Sequence, residues 1–517
     1  MTYAAHRPER TKRGSDSQLA QIVKSLRRKL AQLQRGFAFD TLRLADDGLD
    51  ELAGVLVDLA EDLHNDIGLW ATYEAYNVEF FGTPLPLTAH NSDDDGATDL
   101  HANRFRHLLW VLYPALIEGL VISPTHKDLV LIADTVSAFL RDKFESVPRG
   151  SGVQAFMREP SEYGWDVKRK LIWLGTHSYM FRTFFANYVD AQDGGAGDIE
   201  STDDFICQVC TRWSGLGAID ILAGVLDISD DERRDLRSWY ERHAGFYKIL
   251  SVSNEALEAL NVISDEPYRI RMNMPGHPFE PGQLVFGSLV PWRGEWYWSG
   301  QQQLWGAASD VDLDDIRRTM KRQNSKIICR YWKEYETLVR RRAAELHSAM
   351  LAFYGKNLVV YPDGLSMAAD WQREFRRQWE SRDPQCVQEM VERRGLKNGR
   401  PEMSLPDELL EHKNGIGVFI NPEEGKEIMQ DFALVTAGLE RKGEGLTEDE
   451  EYSLRGFIEA DAISPAFVRR ILDEYGSESV RAAFLLRGEQ PDYWLDYLLR
   501  SFKGQFYRKR YPCVSVI

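Results

Sequence analysis

The sequence lacks a disulfide framework, a long apolar run and a secretion signal. Its five cysteines are odd in number and scattered over 517 residues, which argues against structural disulfides. No window of about 18 uninterrupted apolar residues occurs, so we expect no membrane partner. The arginine-rich start lacks the apolar stretch of a signal peptide. A prenylation box is also missing, because Val514 and not cysteine stands fourth from the end. These absences predict a cytoplasmic protein.

Complete catalytic motifs are missing as well. The sequence contains neither a GxxxxGK[ST] phosphate loop nor a GxSxG nucleophile elbow. The pair Gly215 and Gly217 lacks the third glycine and the preceding strand of a dinucleotide fingerprint. Asp166 and Lys168 have the D-x-K spacing of some nucleases, but they lie in a helical pattern without an acidic partner strand. We therefore predict no cofactor, and whether the chain is an enzyme stays open.

The charge is strongly negative in total and positive at both ends. A formal charge of −17 opposes broad binding to nucleic acid, since the phosphate backbone repels an acidic surface. Residues 1–35 nevertheless carry nine basic side chains against two acidic ones, and residues 500–517 carry five against none. Basic ends on an acidic body indicate either attraction within the chain, which we favour, or contact with an acidic partner.

The composition is that of a globular protein with more than one core. The hydrophobic share is 43%, the charged share is 28%, and 14 tryptophans are present. A chain of this length exceeds the size at which one core usually stops growing. The periodicity predicts a mainly α protein with α+β character: a multi-helix body, a small antiparallel β-barrel or sheet, and a small mixed α/β unit toward the C-terminus.

The same pattern divides the chain into six segments. They are a basic tail with an amphipathic helix (1–36), a helical domain (37–265), a Trp-rich antiparallel β module (266–310), a long spine helix (311–355), two strand–turn–helix units (356–440) and a C-terminal helical region with a basic tail (441–517). The apolar stripe of the first helix has coiled-coil spacing over two heptads only, so it must dock on this chain or on another.

The sequence also makes four predictions about individual helices and strands. Apolar periodicity favours one helix from Leu49 to Phe81 and another over residues 230–250. In the second half, strand 358–361 leads into a helix at 365–380. By the same pattern, a strand at 417–420 leads into a helix that covers residues 423–440.

Two residue pairs have spacings that occur in metal sites. Glu61 and His64 lie on one face of a helix, as in di-iron bundles, but a second ExxH pair is missing. Cys207 and Cys210 have the spacing of half a zinc site or of a redox dithiol, again without a second half. For both pairs we favour ordinary packing, and a metal ion at these residues is the alternative.

The most distinctive segment is a predicted hairpin crowded with tryptophan. We predict the turn at Arg293 and Gly294, with Trp292 before it and Glu295 after it, and Trp296 and Trp298 alternate onto one face of the second strand. One face of such a hairpin should be core. The other face is either core as well, which we favour, or a stacking platform for a ligand or partner.

Three stretches of the C-terminal half resemble a known family. Residues 279–301, 415–432 and 446–472, the last reading LTEDEEYSLRGFIEADAISPAFVRRIL, resemble a family of bacterial proteins of unknown function. The resemblance implies a bacterial origin and a shared fold. It supplies no activity, cofactor or catalytic residue.

These observations support three hypotheses about function. The first is a non-enzymatic interaction or scaffold protein that uses the Trp-rich module and helical surfaces to bind a protein partner or a second copy. The second is a metal-dependent enzyme with helix-borne His, Glu and Cys ligands. The third is a nucleic-acid-associated protein that binds through its basic ends, against the net charge.

Overall fold

The computed structural model divides the chain into two compact units. Unit 1 comprises residues 1–332 and 488–505, and unit 2 comprises residues 333–487 and 506–517. The structure describes residues 3–8, 14–37, 42–88, 99–192, 198–272, 278–308, 313–317, 333–394, 404–486, 488–509 and 512. Within these ranges no helix has the length and apolar character needed to cross a bilayer.

Unit 1 contains a helical body followed by a β-barrel. The body is built from α1 (Gly14–Leu33), α2 (Asp46–Asn65), α3 (Leu69–Phe81), α4 (Ala102–Leu116), α5 (Lys127–Phe144), α6 (Gly152–Met157), α7 (Gly164–His177), α8 (Arg182–Asp190), α9 (Ile199–Gln208), α10 (Ala218–Val225), α11 (Asp230–Arg237) and a last helix, Trp494–Phe502. The barrel strands are β1 (His243–Val252), β2 (Ala256–Asn261), β3 (Pro267–Arg271), β4 (Gln283–Trp292) and β5 (Glu295–Ala307).

The amphipathic helix α1 docks on the body of its own chain. Leu19, Ile22, Leu26 and Leu30 are buried in the core of the body, and α1 packs against α2 and α5. These leucines and isoleucine recur at intervals of three and four residues, which places them on one stripe of the helix. The sequence left open whether this helix docks on its own chain or on another one. In the structure it docks on its own chain.

The predicted single helix from Leu49 to Phe81 is wrong, because the chain breaks between α2 and α3. Asp66 and Gly68 both have positive φ angles, of 50° and 101°. The carboxylate of Asp62 accepts hydrogen bonds from the backbone N–H groups of Gly68 and Trp70, at 2.8 and 2.7 Å. An aspartate that accepts hydrogen bonds from the free N–H groups at the start of a new helix favours two separate helices over one continuous helix.

The predicted helix over residues 230–250 is also wrong. Helix α11 ends at Arg237, and strand β1 begins at His243, well before the predicted module boundary at 266. Tyr247 and Ile249 of this strand are fully buried in the barrel. Aromatic and β-branched residues favour strands, and β2 follows β1 after a short turn, but β1 also pairs with β4, which is distant in sequence. That second pairing, which local periodicity does not show, decides between a helix and a strand.

The five strands close into a barrel in the order β1-β2-β3-β5-β4, with β1 paired again to β4. The predicted module was antiparallel, whereas β3 and β5 pair in parallel through Ile270 and Trp296, so the sheet is mixed. The hairpin turn was predicted correctly: Arg293 and Gly294 have φ angles of 53° and 77°, as a two-residue type I′ turn requires.

Unit 2 is a three-stranded antiparallel sheet covered by helices. The sheet order is β6 (Leu358–Tyr361), β7 (Ile416–Asn421), β8 (Gly425–Gln430). The helices are α12 (Lys333–Tyr354), α13 (Gly364–Glu380), α14 (Pro384–Arg394), α15 (Asp407–Leu410), α16 (Phe432–Glu440), α17 (Glu448–Glu459), α18 (Pro465–Tyr475) and α19 (Glu478–Ala483). The prediction of a mainly α protein with α+β character is confirmed.

One of the two predicted strand–turn–helix units is correct and the other is wrong. Strand β6 leads into α13 as expected, but β7 turns back into β8 before α16 begins. Gly425, with a φ of 76°, allows the tight turn that pairs the two strands. Residues 318–332 of the predicted spine helix, 89–98 and 193–197 of two predicted loops, and 510–511 and 513–517 of the basic tail lie outside the described residues.

Candidate functional site

A groove with a volume of about 830 Å³ opens on unit 1. Five parts of the chain line it: residues 66–75 around the start of α3, residues 154–161 of α6 and the connection after it, Lys170 of α7, residues 224–228 at the end of α10 and before α11, and Arg293 at the hairpin turn of the barrel. This volume lies within the range of sites that hold a small molecule or a few residues of a peptide. The groove is therefore the candidate functional site.

Small side chains on α3 and α10 make room for the groove. Ala71 and Ala75 of α3 are exposed on its wall, and buried Ile67 and Leu226 supply apolar surface. A methyl group at Gly224 of α10 would lie 2.3 Å from Cγ2 of Thr72, so only glycine permits this approach of the two helices. The shape of the groove thus depends on a few residues without large side chains.

Ser161 and Lys170 meet at this groove. Nζ of Lys170 on α7 donates hydrogen bonds to Oγ of Ser161, at 2.8 Å, and to the carbonyl oxygen of Glu159. Ser161 is half-buried, whereas Lys170 is fully buried. Burial lowers the pKa of Lys170 to about 8; the charge of Glu159 raises it and that of Arg169 lowers it.

The predicted hairpin residues Trp292 and Arg293 are brought to this groove. The fully buried indole N–H of Trp292 donates to the carbonyl oxygen of Ser161 at 3.1 Å. Arg293 lines the groove, while its guanidinium pairs with Glu232 and its backbone N–H donates to Asp235 at 2.9 Å. The Trp-rich hairpin therefore positions the chain around Ser161.

The other predicted hairpin residues lie in the barrel and do not line the groove. Trp296 packs on the rings of His243 and Tyr268, with centroid distances of 4.5 and 4.9 Å. Trp298 packs at the edge of the barrel core and is half-buried. Oε1 of Glu295 lies 3.3 Å from a guanidinium nitrogen of the neighbouring barrel strand β3.

On the opposite face of the same strand, Tyr297 packs into the core of the helical body. A methyl group at Gly164 would lie 2.6 Å from its ring. One face of the hairpin strand thus packs in the barrel and the other packs against the helices.

The barrel is joined to the body by a buried network centred on Asp203 of α9. Lys168 and Arg242 both form ion pairs with its carboxylate, and Oγ of Ser299 donates to it at 2.9 Å. The Sγ atom of Cys207 lies 3.8 Å from Nζ of Lys168. Burial alone would raise the pKa of Asp203, but the two cations outweigh it and hold the pKa below its usual range.

The cysteine and histidine pairs are not arranged as metal ligands. Buried Cys207 belongs to the Asp203 network, and half-buried Cys210 lies beside the backbone of Gly504. The ring of His64 approaches the carbonyl oxygen of Val147 at 3.1 Å, whereas Glu61 points elsewhere. Across the described ranges, no three or more His, Cys, Asp and Glu side chains are grouped to hold a metal ion.

Glu61 is instead the partner of the basic N-terminal segment. Its carboxylate forms an ion pair with Arg7 and accepts a hydrogen bond from Ser151 at 2.7 Å. The side chains of Arg7 and Glu61 are 5% and 3% exposed, and a cavity of about 20 Å³ beside them has room for one water molecule. At Arg7 the attraction between basic end and acidic body is thus intramolecular.

Sequence reasoning missed Ser161 and Lys170. They stand nine positions apart across a loop and a helix start, and no short motif marks that spacing. Comparison of the chain with known protein families, with curated proteins and with solved structures finds no significant match.

Proposed function

We propose that this protein binds a segment of a protein partner in the groove of unit 1. The observation that carries the proposal is the groove itself, which combines helical surface with the turn of the Trp-rich hairpin. The exposed alanines leave space for side chains of a ligand, and half-buried Val225 and Ile228 offer apolar contact. About half of the residues that line the groove are polar or charged, so the groove can contact both the apolar and the polar groups of a protein segment.

The charges on the groove favour a peptide over a nucleic acid. Arg158 and Arg293 are exposed on its wall together with the acidic side chains of Asp66 and Asp227. Within the described residues, no carboxylate pairs with Arg158. Walls of both signs suit a segment that carries both signs, whereas a polyanion would meet repulsion from the acidic groups and from the net charge of −17.

The reducing cytoplasm is the compartment that we propose for this interaction, since the cysteines are few and scattered. The resemblance to the bacterial family belongs to the same proposal, because it implies a fold that is shared among bacterial proteins and supplies no catalytic residue.

The proposal is tested by filling the groove. Ala71→Trp places a large side chain on its wall, while Val78→Trp, at a residue of α3 that is 48% exposed and outside the groove lining, is the matched control. Both variants should keep the thermal stability of the parent, because both positions face solvent.

A protein that copurifies with the parent chain from its native cells should be retained by the Val78→Trp control. It should be reduced at least tenfold by Ala71→Trp, since a blocked groove removes the contacts that bind it. Equal recovery with the two variants would reject the groove as the binding site.

A further inference from the structure

The arrangement of Ser161 and Lys170 is that of a nucleophile and its base. The Ser161 hydroxyl is half-buried on the groove, and the amine that donates to it at 2.8 Å is buried beneath. A serine hydroxyl is a weak nucleophile unless an adjacent base takes its proton, and lysine is one of the bases that serve this role. The distance lies within the 2.6–3.2 Å that such a pair requires.

Lys170 is held in a way that allows its amine to lose a proton. Both of its acceptors, Oγ of Ser161 and the carbonyl oxygen of Glu159, are neutral, and within the described chain no carboxylate oxygen forms an ion pair with Nζ. Lys168, two residues earlier, gives the contrast, because its ammonium pairs with the buried carboxylate of Asp203. A buried amine without a counter-ion favours the neutral form, which is the form that acts as a base.

We propose that Ser161 and Lys170 form a serine–lysine dyad that cleaves an acyl ester bound in the groove. The inference rests on the proposed function in one respect, namely that the groove is where a ligand binds. It adds the reacting atoms, the reaction type and the class of substrate. A substrate ester would place its acyl chain against the half-buried apolar lining at Val225 and Ile228 and its carbonyl carbon at Oγ of Ser161.

The reaction balances with water as the only co-reactant. Neutral Lys170 takes the hydroxyl proton while Oγ of Ser161 forms a bond to the carbonyl carbon. The intermediate collapses, the ester C–O bond breaks, and the Lys170 ammonium returns the proton to the departing alkoxide. Water then attacks the acyl-serine, Lys170 takes its proton, and the acid leaves as Ser161 recovers its hydrogen.

The pH dependence follows from the groups around Lys170. Burial lowers its pKa to about 8; Glu159 and Asp166 raise it, and Arg169 lowers it. Roughly a tenth of the amines are then neutral at pH 7 and about half at pH 8. The rate of reaction at Ser161 should therefore reach half of its maximum at about pH 8 and become constant above about pH 9.

The probe for this activity is an alkyl fluorophosphonate. Its phosphorus bonds to an activated serine oxygen with loss of fluoride, and the modified residue is identified by peptide mass spectrometry. We expect one label per chain at Ser161, no label there in Ser161→Ala, and at least a hundredfold slower labelling in Lys170→Met. Ser381→Ala, which removes an exposed serine of unit 2, should label at the parent rate.

Labelling that is absent from the parent protein, or that is unchanged in Ser161→Ala, would overturn the dyad. Should Lys170→Met fail to fold, the pH profile of the parent protein decides, since a serine without a base would show neither a half-maximal rate near pH 8 nor a plateau above about pH 9. Failure of the dyad and failure of the proposed function are distinguishable. If only the dyad is wrong, the parent chain is not labelled but still copurifies with a partner that Ala71→Trp releases. If only the partner is wrong, the parent chain is still labelled at Ser161.

Discussion

The ion pair between Arg7 and Glu61 should contribute strongly to the stability of unit 1. The change to make is Arg7→Met, which places an apolar side chain at this position and leaves the buried Glu61 carboxylate with the hydrogen bond from Ser151. Both side chains of the pair are 5% exposed or less, so solvent cannot replace the lost guanidinium. Removing one partner of a buried pair typically costs about 3–5 kcal/mol.

The pH dependence of this loss provides a second test. Burial raises the pKa of Glu61, and Arg7 opposes that rise. In Arg7→Met the pKa of Glu61 in the folded state should rise further above its pKa in the unfolded state, so the folded protein binds the Glu61 proton more tightly. The penalty relative to the parent is then smallest where Glu61 is protonated in both folded proteins. It grows by about 1.4 kcal/mol per pH unit between the folded-state pKa of Glu61 in the parent and that in the variant.

Urea unfolding of the parent, of Arg7→Met and of Arg7→Met/Glu61→Gln, each at pH 5 and pH 8, measures these effects. The double variant should recover part of the lost free energy of unfolding at pH 8, because burial of a neutral amide is less unfavourable than burial of an unpaired carboxylate. A loss below about 1 kcal/mol, or one that is equal at both pH values, would refute this reasoning.

Two further predictions concern the joints of unit 1. Asp203→Asn removes the carboxylate shared by Lys168 and Arg242 and should cost about 3 kcal/mol in urea unfolding. The pKa of Asp203 is lower in the folded state than in the unfolded state. The stability that its charge contributes to the parent is therefore present at pH values above the unfolded-state pKa and is lost as the pH falls through the folded-state pKa. Parent and variant should therefore converge in thermal unfolding at acid pH, and a constant difference would contradict the role of the charge. Gly224→Ala should lower the free energy of unfolding by about 1–3 kcal/mol, because its methyl group would clash with Thr72. A second change, Thr72→Ser, should recover part of this loss. An unchanged melting temperature in Gly224→Ala would show that the two helices move apart to accept the methyl group.

The sequence predicts local structure well where local physics decides it. The stripe of α1 follows from its apolar spacing, and the turn at Arg293 and Gly294 follows from residue chemistry together with two flanking strand patterns. The break after Asn65 was not recognised, because it depends on an aspartate that lies inside the preceding helix. Sequence reasoning missed strand β1 because one of its two pairing partners, β4, is distant in sequence.

The candidate site is less predictable for the same reason. The sequence drew attention to Trp292 and Arg293 through their crowding, and the structure places both beside the groove. It did not indicate Ser161 or Lys170, since the bond between them depends on how the connection from α6 folds back on α7. The buried surroundings that distinguish Lys170 from Lys168 exist only after packing.

The most direct test of the proposed function is a photo-cross-link from the groove. A benzoylphenylalanine residue at position 71, on the groove wall, should cross-link one partner protein in its native cells, and the cross-linked peptide should be a single segment of that partner. The same residue at position 78, outside the groove lining on the same helix, should give none. Cross-links of equal yield and identity from both positions, or none from position 71, would contradict a binding groove on unit 1.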